Sequence, residues 1–318
     1  MSEFLTRLLA HPGGNARQRK RAAILLVVLA AMILLLLILK FDAVCAAFAE
    51  MGAYLKYKFI RRALLVGTLV SLCAALLGVT LVLKRYSMIG DGLSHVGFGA
   101  LAIASALGLA PLAVAVPVVV TAAVFLLRLR QSSRVKGDAA IAIISSSALA
   151  IGVITVSLTT GMNTEVSSYM FGSVLSLSRG DAVLSVVLSL AVLTLFVLFY
   201  PRIFAVTFDE DFSRATGTNT EVYNTLLAVL TAVTVVLGMR MMGALLISSL
   251  IIFPALSAMR LCRSFRAVVI TAAVISVVCF LVGMTASYFL ETPTGASIVA
   301  ADLLAFGLSY GIGNFGKR

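Results

Sequence analysis

The chain has 318 residues, 61% of them apolar and 12% charged, where soluble domains average about half and about a quarter. With a mean hydropathy of +1.10 and apolar runs recurring from end to end, it has no room for a soluble domain of normal size. Soluble enzymes, nucleic-acid binders and secreted disulfide scaffolds are thereby excluded, and the net charge of +12 points first to basic cytoplasmic loops of a polytopic membrane protein.

In chain order, residues 1–21 read as a basic cytoplasmic tail ending in Arg17, Arg19, Lys20 and Arg21. Ala22 to Leu39 holds 18 residues without a charge, too long for the core of a cleaved signal peptide. Val44, in front of Cys45, is not the small residue a lipoprotein site requires. Residues 22–50 are therefore read as an extra N-terminal transmembrane helix with its loop. Further spans are predicted at 61–83, 87–108, 112–127, 138–160, 181–200, 222–238, 241–259, 267–290 and 295–313, an all-α transmembrane bundle of about ten helices. Between Thr164 and Arg179, SSYMFGSVLSLS is amphipathic and too short to cross, which fits a half-helix or re-entrant turn. The even count puts both termini on one side. That side collects 18 of the 25 Lys and Arg residues, so both termini are expected in the cytoplasm. Cys45, Cys73, Cys262 and Cys279 are far apart, with no CxxC, and read as buried thiols rather than a disulfide frame or a zinc site.

Away from the ends of the predicted spans, where a charge costs at least a few kcal/mol and requires a partner or a purpose, three acidic, basic or histidine residues occur: Asp91, His95 and Asp302. Asp91 and His95 are four apart in SMIGDGLSHVGFGALA, so a helix puts them on one face, with Ser87, Gly90 and Ser94 nearby. At 1.5 Å per residue His95 lies about 15 Å beyond Lys84 and Arg85, near the middle of the hydrocarbon layer. A carboxylate and an imidazole suit zinc, manganese or iron, and a second copy across a two-fold axis would complete a four-ligand site. The alternative is that Asp91 caps a helix and His95 bonds to a neighbour. Gly90, Gly92, Gly97 and Gly99 allow either close helix packing or a broken helix. A Ser94–His95–Asp91 triad is excluded, because adjacent helical residues point about 100° apart. Asp302 is either a second ligand or relay, or a residue paired with a hydroxyl or backbone group.

The largest cytoplasmic loop reads VTFDEDFSRATGTNTE. Its acids Asp209, Glu210 and Asp211, then Arg214, then Gly217, follow the charge order and stop signal of a short helix standing in a loop. Phe208 and Phe212 have no span to bury them and would lie on the membrane interface or dock into a groove on another protein. GIGNFGKR at the C-terminus fits GxxxxGK but carries Arg318 where Ser or Thr is required. No other nucleotide motif occurs, so an ATP-driven cycle would need a separate ATPase chain.

LVLKRYSMIGDGLSHVGFGALAIASALG resembles the signature stretch of zinc and manganese ABC-transporter permeases. GDAAIAIISSSALAIG, MFGSVLSLSRGD with VTFDEDFSRATG, and MMGALLISSLIIFPALSAMRL leading to ETPTGASIVA follow in the family's order, so the likeness spans residues 51–313 and makes 51–318 the permease domain. The resemblance implies a non-enzymatic transport subunit of the bacterial plasma (inner) membrane that pairs as a homodimer. It also implies an external solute-binding protein that delivers the divalent ion, separate ATPase subunits, and no permanently bound cofactor. It assigns metal contact to Asp91 and His95 and ATPase coupling to Phe208, Asp209, Phe212, Arg214 and Gly217, while Ser94 and Asp302 are candidates along the pathway from their own position in the spans. The extra N-terminal helix, Ala142 in place of a common glycine, and Asp302 where the family is apolar are departures. Two other readings remain: a cobalamin- or siderophore-type ABC permease, which has little use for Asp91 and His95, and an ion-coupled secondary carrier using Asp91.

Overall fold

The computed structural model describes residues 57–131, 137–159, 164–172 and 178–315. The predicted tail, residues 1–21, and the extra helix with its loop, residues 22–50, lie outside the described residues. The described chain is all helix, without strands: α1 (Lys58–Leu83), α2 (Ser87–Ala106), α3 (Pro111–Gln131), α4 (Gly137–Thr159), α5 (Thr164–Phe171), α6 (Arg179–Leu198), α7 (Tyr200–Phe208), α8 (Glu210–Ala215), α9 (Thr220–Met242), α10 (Ile247–Leu261), α11 (Phe265–Leu290) and α12 (Thr294–Phe315). Each of the nine spans predicted after residue 60 has its helix. Helices α1, α3, α4, α6, α9, α11 and α12 are long and apolar enough to cross a membrane. Helix α2 is diluted by its polar residues, and α10, with 15 residues, is short for a crossing on its own.

The layers follow from how evenly each helix is apolar. Helix α9 is apolar on all sides and is buried over 78% of its most apolar stretch, so it stands in the centre with α1, whereas α4 is buried over only 22% and lies outside. Thr231 and Thr234 are tolerated in that dry centre because their hydroxyls donate to the carbonyls of Leu227 (2.7 Å) and Leu230 (2.9 Å) one turn back. Helix α1 packs against α6, α9, α10 and α11, and α2 lies between α3, α4, α9 and α10.

Two boundaries differ from the sequence expectation. The span predicted at 241–259 begins instead at Ile247, because α9 runs on to Met242 and stops at Gly243, whose φ of +85° and ψ of 151° are open only to glycine. There the backbone turns to meet the end of α5: the amides of Ala244 and Leu245 donate to the carbonyls of Tyr169 (2.9 Å) and Met170 (3.3 Å). A Cβ on Gly172 would run into the backbone of Met241 and Met242, and one on Gly243 into Met170 and Phe171, so the two glycines let the segments touch backbone to backbone. The short segment between Thr164 and Arg179 thus contains an eight-residue helix held against α2, α9 and α12. The second difference is α7. Residues 201–208 were expected as loop, but Pro201 sits in the first turn of a helix whose Ile203 and Val206 are fully buried.

The cysteines match the expectation where they are described. Cys73 and Cys279 are buried, Cys262 is half-buried, and all three are free thiols. Cys45 lies outside the described residues.

Candidate metal station and coupling elements

Helix α2 starts directly after a three-residue turn from α1, in which Arg85 takes the left-handed conformation (φ 59°) and the Tyr86 amide reaches back to the Leu81 carbonyl (2.7 Å). It then runs unbroken to Ala106, so the broken-helix reading of its glycines gives way to packing. A Cβ on Gly99 would lie 2.7 Å from the Ala148 carbonyl oxygen, and one on Gly152 2.9 Å from the Gly99 Cα, which brings α2 and α4 together on bare backbone. Gly97 makes room for Met239 of α9 and Gly90 for Ile251 of α10.

On this straight, tightly gripped helix Asp91 and His95 share one face, with His95 Nε2 3.8 Å from Asp91 Oδ2. That separation is longer than a hydrogen bond. The side chain of His95 is 16% exposed and that of Asp91 38%, so the pair opens away from the packed side. His95 Nδ1 is buried and has no hydrogen-bond partner. The cap position belongs to Tyr86, with Asp91 in the second turn, and among the described residues His95 bonds to no neighbouring helix. Ser94 is fully buried and its hydroxyl donates to the Asp91 carbonyl (2.7 Å), which turns it away from the pair. Among the described residues no third His, Cys, Asp or Glu joins these two, so one chain offers two ligands.

Asp302 stands apart. It is fully buried on α12 beside the Cys279 thiol of α11, and among the described residues its carboxylate has no other polar partner. No hydroxyl or backbone group bonds to it among the described residues.

The loop helix forms as its sequence predicts. The Asp209 carboxylate caps α8 by accepting from the Phe212 amide (2.8 Å), and Gly217 ends the segment at φ +87°. Phe212 is 64% exposed. Phe208, at the end of α7, is 59% exposed but rests one edge on Phe204 (4.8 Å between centroids) and Phe265 (5.7 Å). Arg214 donates to Thr220 (3.3 Å) and pairs with Glu210 (3.7 Å).

Two polar clusters were not singled out from the sequence. Near the start of α6, Arg240 of α9 is buried, bonds to Asp181 at 2.7 Å, and lies over the ring of Tyr169, whose hydroxyl also meets Ser105 (3.3 Å). The only hint was a lone arginine in an apolar run. At the opposite end Lys84 meets Glu210 and Asn224, a meeting of three elements that no local pattern in the sequence signals.

Residues 56–311 match the ABC 3 transport family. The chain belongs to that family. It is therefore the membrane subunit of an ABC transporter, with ATP hydrolysis on a separate chain, and the secondary-carrier reading falls away. The high-affinity zinc uptake system membrane protein ZnuB of Haemophilus influenzae is 30% identical over 253 residues, 80% of this chain and 97% of the relative. The manganese transport system membrane protein MntC of Halalkalibacterium halodurans is 28% identical over 256 residues, 80% of this chain and 88% of the relative. The structure of PsaBC from Streptococcus pneumoniae in complex with Fab superposes with a TM-score of 0.75 at 27% identity, over 83% of this chain and 95% of the other.

Proposed function

We propose that this permease subunit carries a divalent metal ion, zinc or manganese with iron as a third candidate, into the cytoplasm, and that Asp91 and His95 are the station where the ion pauses. One observation carries the reading: a carboxylate and an imidazole face the same way inside a span, and among the described residues the buried Nδ1 has no hydrogen-bond partner. A structural histidine in such surroundings would be hydrogen-bonded. The names of the zinc and manganese relatives support the choice of cargo.

Two ligands hold a divalent ion weakly. A second copy of the chain, related by a two-fold axis, would bring the count to four, and the opening of the pair away from the packed side of α2 suits that arrangement. Weakness serves transport, because a station must release what it receives. High affinity belongs to an external binding protein, and the ATPase subunits dock on the cytoplasmic face through α8 and the exposed ring of Phe212. The subunit sits in the plasma (inner) membrane with both termini in the cytoplasm, residues 51–318 forming the permease domain behind the tail and the extra helix. The basic residues after α1 and around α7 to α9 support that orientation.

The test is uptake of radiolabelled zinc, manganese and iron by vesicles holding the assembled complex. ATP-dependent uptake of at least one of them, lost in Asp91→Ala and His95→Ala, is expected, whereas uptake of cobalamin with none of the three metals would overturn the reading. Purified permease alone should release its ion during chelator dialysis, and retention of one metal per dimer would mark a structural site instead.

A further inference from the structure

The end of α1, the start of α8 and the second turn of α9 meet at one ammonium group. The side chain of Lys84 is only 6% exposed; its Nζ bonds to Glu210 Oε2 at 3.3 Å and to Asn224 Oδ1. The Asn224 amide closes the triangle by donating to Glu210 Oε1 at 3.0 Å, and Asn224 is itself buried. Lys84 is the C-cap residue of α1, and the left-handed Arg85 and Tyr86 lead straight into α2. Glu210 is the first residue of α8, two positions before the exposed Phe212.

We propose that Lys84, Glu210 and Asn224 form the positioning link through which displacement of α8 reaches the α1–α2 turn and thereby Asp91 and His95. This rests on the reading of α8 as the ATPase-docking helix and of the α2 pair as the metal station. Three features carry it. The link is a triangle in which each member is bonded to both others, so α8 cannot shift without pulling on the turn. The distance is short: from Tyr86 to Asp91 is about 7.5 Å along a continuous helix, a rigid lever with its fulcrum at the glycine contacts to α4. Finally, a buried ammonium is a poor choice for stability alone, because an apolar residue of the same length would pack there without desolvating a charge. Contacts of this kind are well suited to exchange between two discrete arrangements.

The experiment uses the full complex, with ATPase and binding protein, in proteoliposomes, and reads ATP hydrolysis and metal uptake on the same sample. Lys84→Met keeps length and removes the charge. It is expected to assemble with the ATPase, to hydrolyse ATP within twofold of the unaltered complex, and to lose at least tenfold in metal moved per ATP. Lys84→Arg, which retains charge and reach, is expected to restore most of that ratio, a recovery that mere filling of space would not need. Glu210→Gln, the same size and still able to bond to Asn224, serves if Lys84→Met assembles poorly, and should reproduce the loss of ratio. A normal ratio in Lys84→Met, or in Glu210→Gln where that variant stands in, overturns the link. Phe212→Ala separates this from failure of the underlying reading: if it loses co-purification while the link variants transport normally, docking stands and the link fails. If Phe212→Ala changes neither co-purification nor coupling, the docking reading itself is wrong.

Discussion

The end of this bundle where α6 starts and its middle treat buried charge in opposite ways. At the former, Arg240 is enclosed and answered: a carboxylate at 2.7 Å, an aromatic face beneath the guanidinium, and a tyrosine hydroxyl. In the middle of α2, Asp91 and His95 stand 3.8 Å apart without a hydrogen bond, and one imidazole nitrogen is buried without a partner. A charge that the protein satisfies holds helices together. A pair left unsatisfied on an otherwise tightly packed helix has capacity to spare for something that comes and goes, which is the basis of the proposed station.

The comparison breaks most sharply if function and stability respond together in the middle. Asp91→Ala or His95→Ala is expected to lower metal uptake by at least about 100-fold, since each removes half of the ligands one chain offers, while changing unfolding stability by less than about 1 kcal/mol. Uptake at limiting metal and thermal unfolding in detergent measure the two. Normal uptake in both variants would sink the station, and a large loss of stability in either would make the pair structural.

Arg240→Met should do the reverse. It leaves the Asp181 carboxylate facing an apolar neighbour, and breaking a buried pair by removing one partner costs about 3–5 kcal/mol, here toward the lower figure because Asp181 remains 23% exposed. Arg240→Met combined with Asp181→Leu should recover most of the loss, because it removes both charges. An unfolding midpoint for Arg240→Met equal to that of the unaltered protein would show that the cluster holds nothing together.

Gly243→Ala tests the backbone seam beside that cluster. Its φ of +85° costs an L-residue about 1–3 kcal/mol, and the added methyl would enter the backbone of α5 at Met170. Loss of stability with α5 detached, seen as faster amide exchange at Ala244 and Leu245, is the expected result. Unchanged exchange there would mean that the seam tolerates a side chain.

Much of this was readable in the chain because its signals are local. Uninterrupted apolar runs give the spans, a spacing of four puts Asp91 and His95 on one face, and Asp209 followed by Gly217 brackets a short helix. What escaped is either context-dependent or non-local. YPRIFAVTF has too little apolar length to register as a span and too much to be a loop, and only its packing under Ile203 and Val206 decides for a helix. The Arg240 and Asp181 partnership joins residues 59 apart, and that of Lys84 and Glu210 residues 126 apart. No spacing rule predicts either. Arg240 was placed in a turn because α9 was ended at 238, and the continuation to Met242 moves it into the bundle.

Asp302 is the exception to the rule drawn from the two regions, for it is fully buried and unanswered yet stands away from the α2 pair. Its neighbour is Cys279, and α12, which carries it, packs against α10 and α11. Asp302 does not cluster with Asp91 and His95, so Asp302→Asn, which keeps the volume and removes the carboxylate, should transport within about twofold of the unaltered protein. Its stability should stay within about 1 kcal/mol, because one imperfectly satisfied polar group replaces another. Uptake and detergent unfolding read both quantities on one preparation. A tenfold loss of uptake at unchanged stability would put Asp302 on the pathway after all and extend the reading of unsatisfied charge as a mark of cargo to a second site.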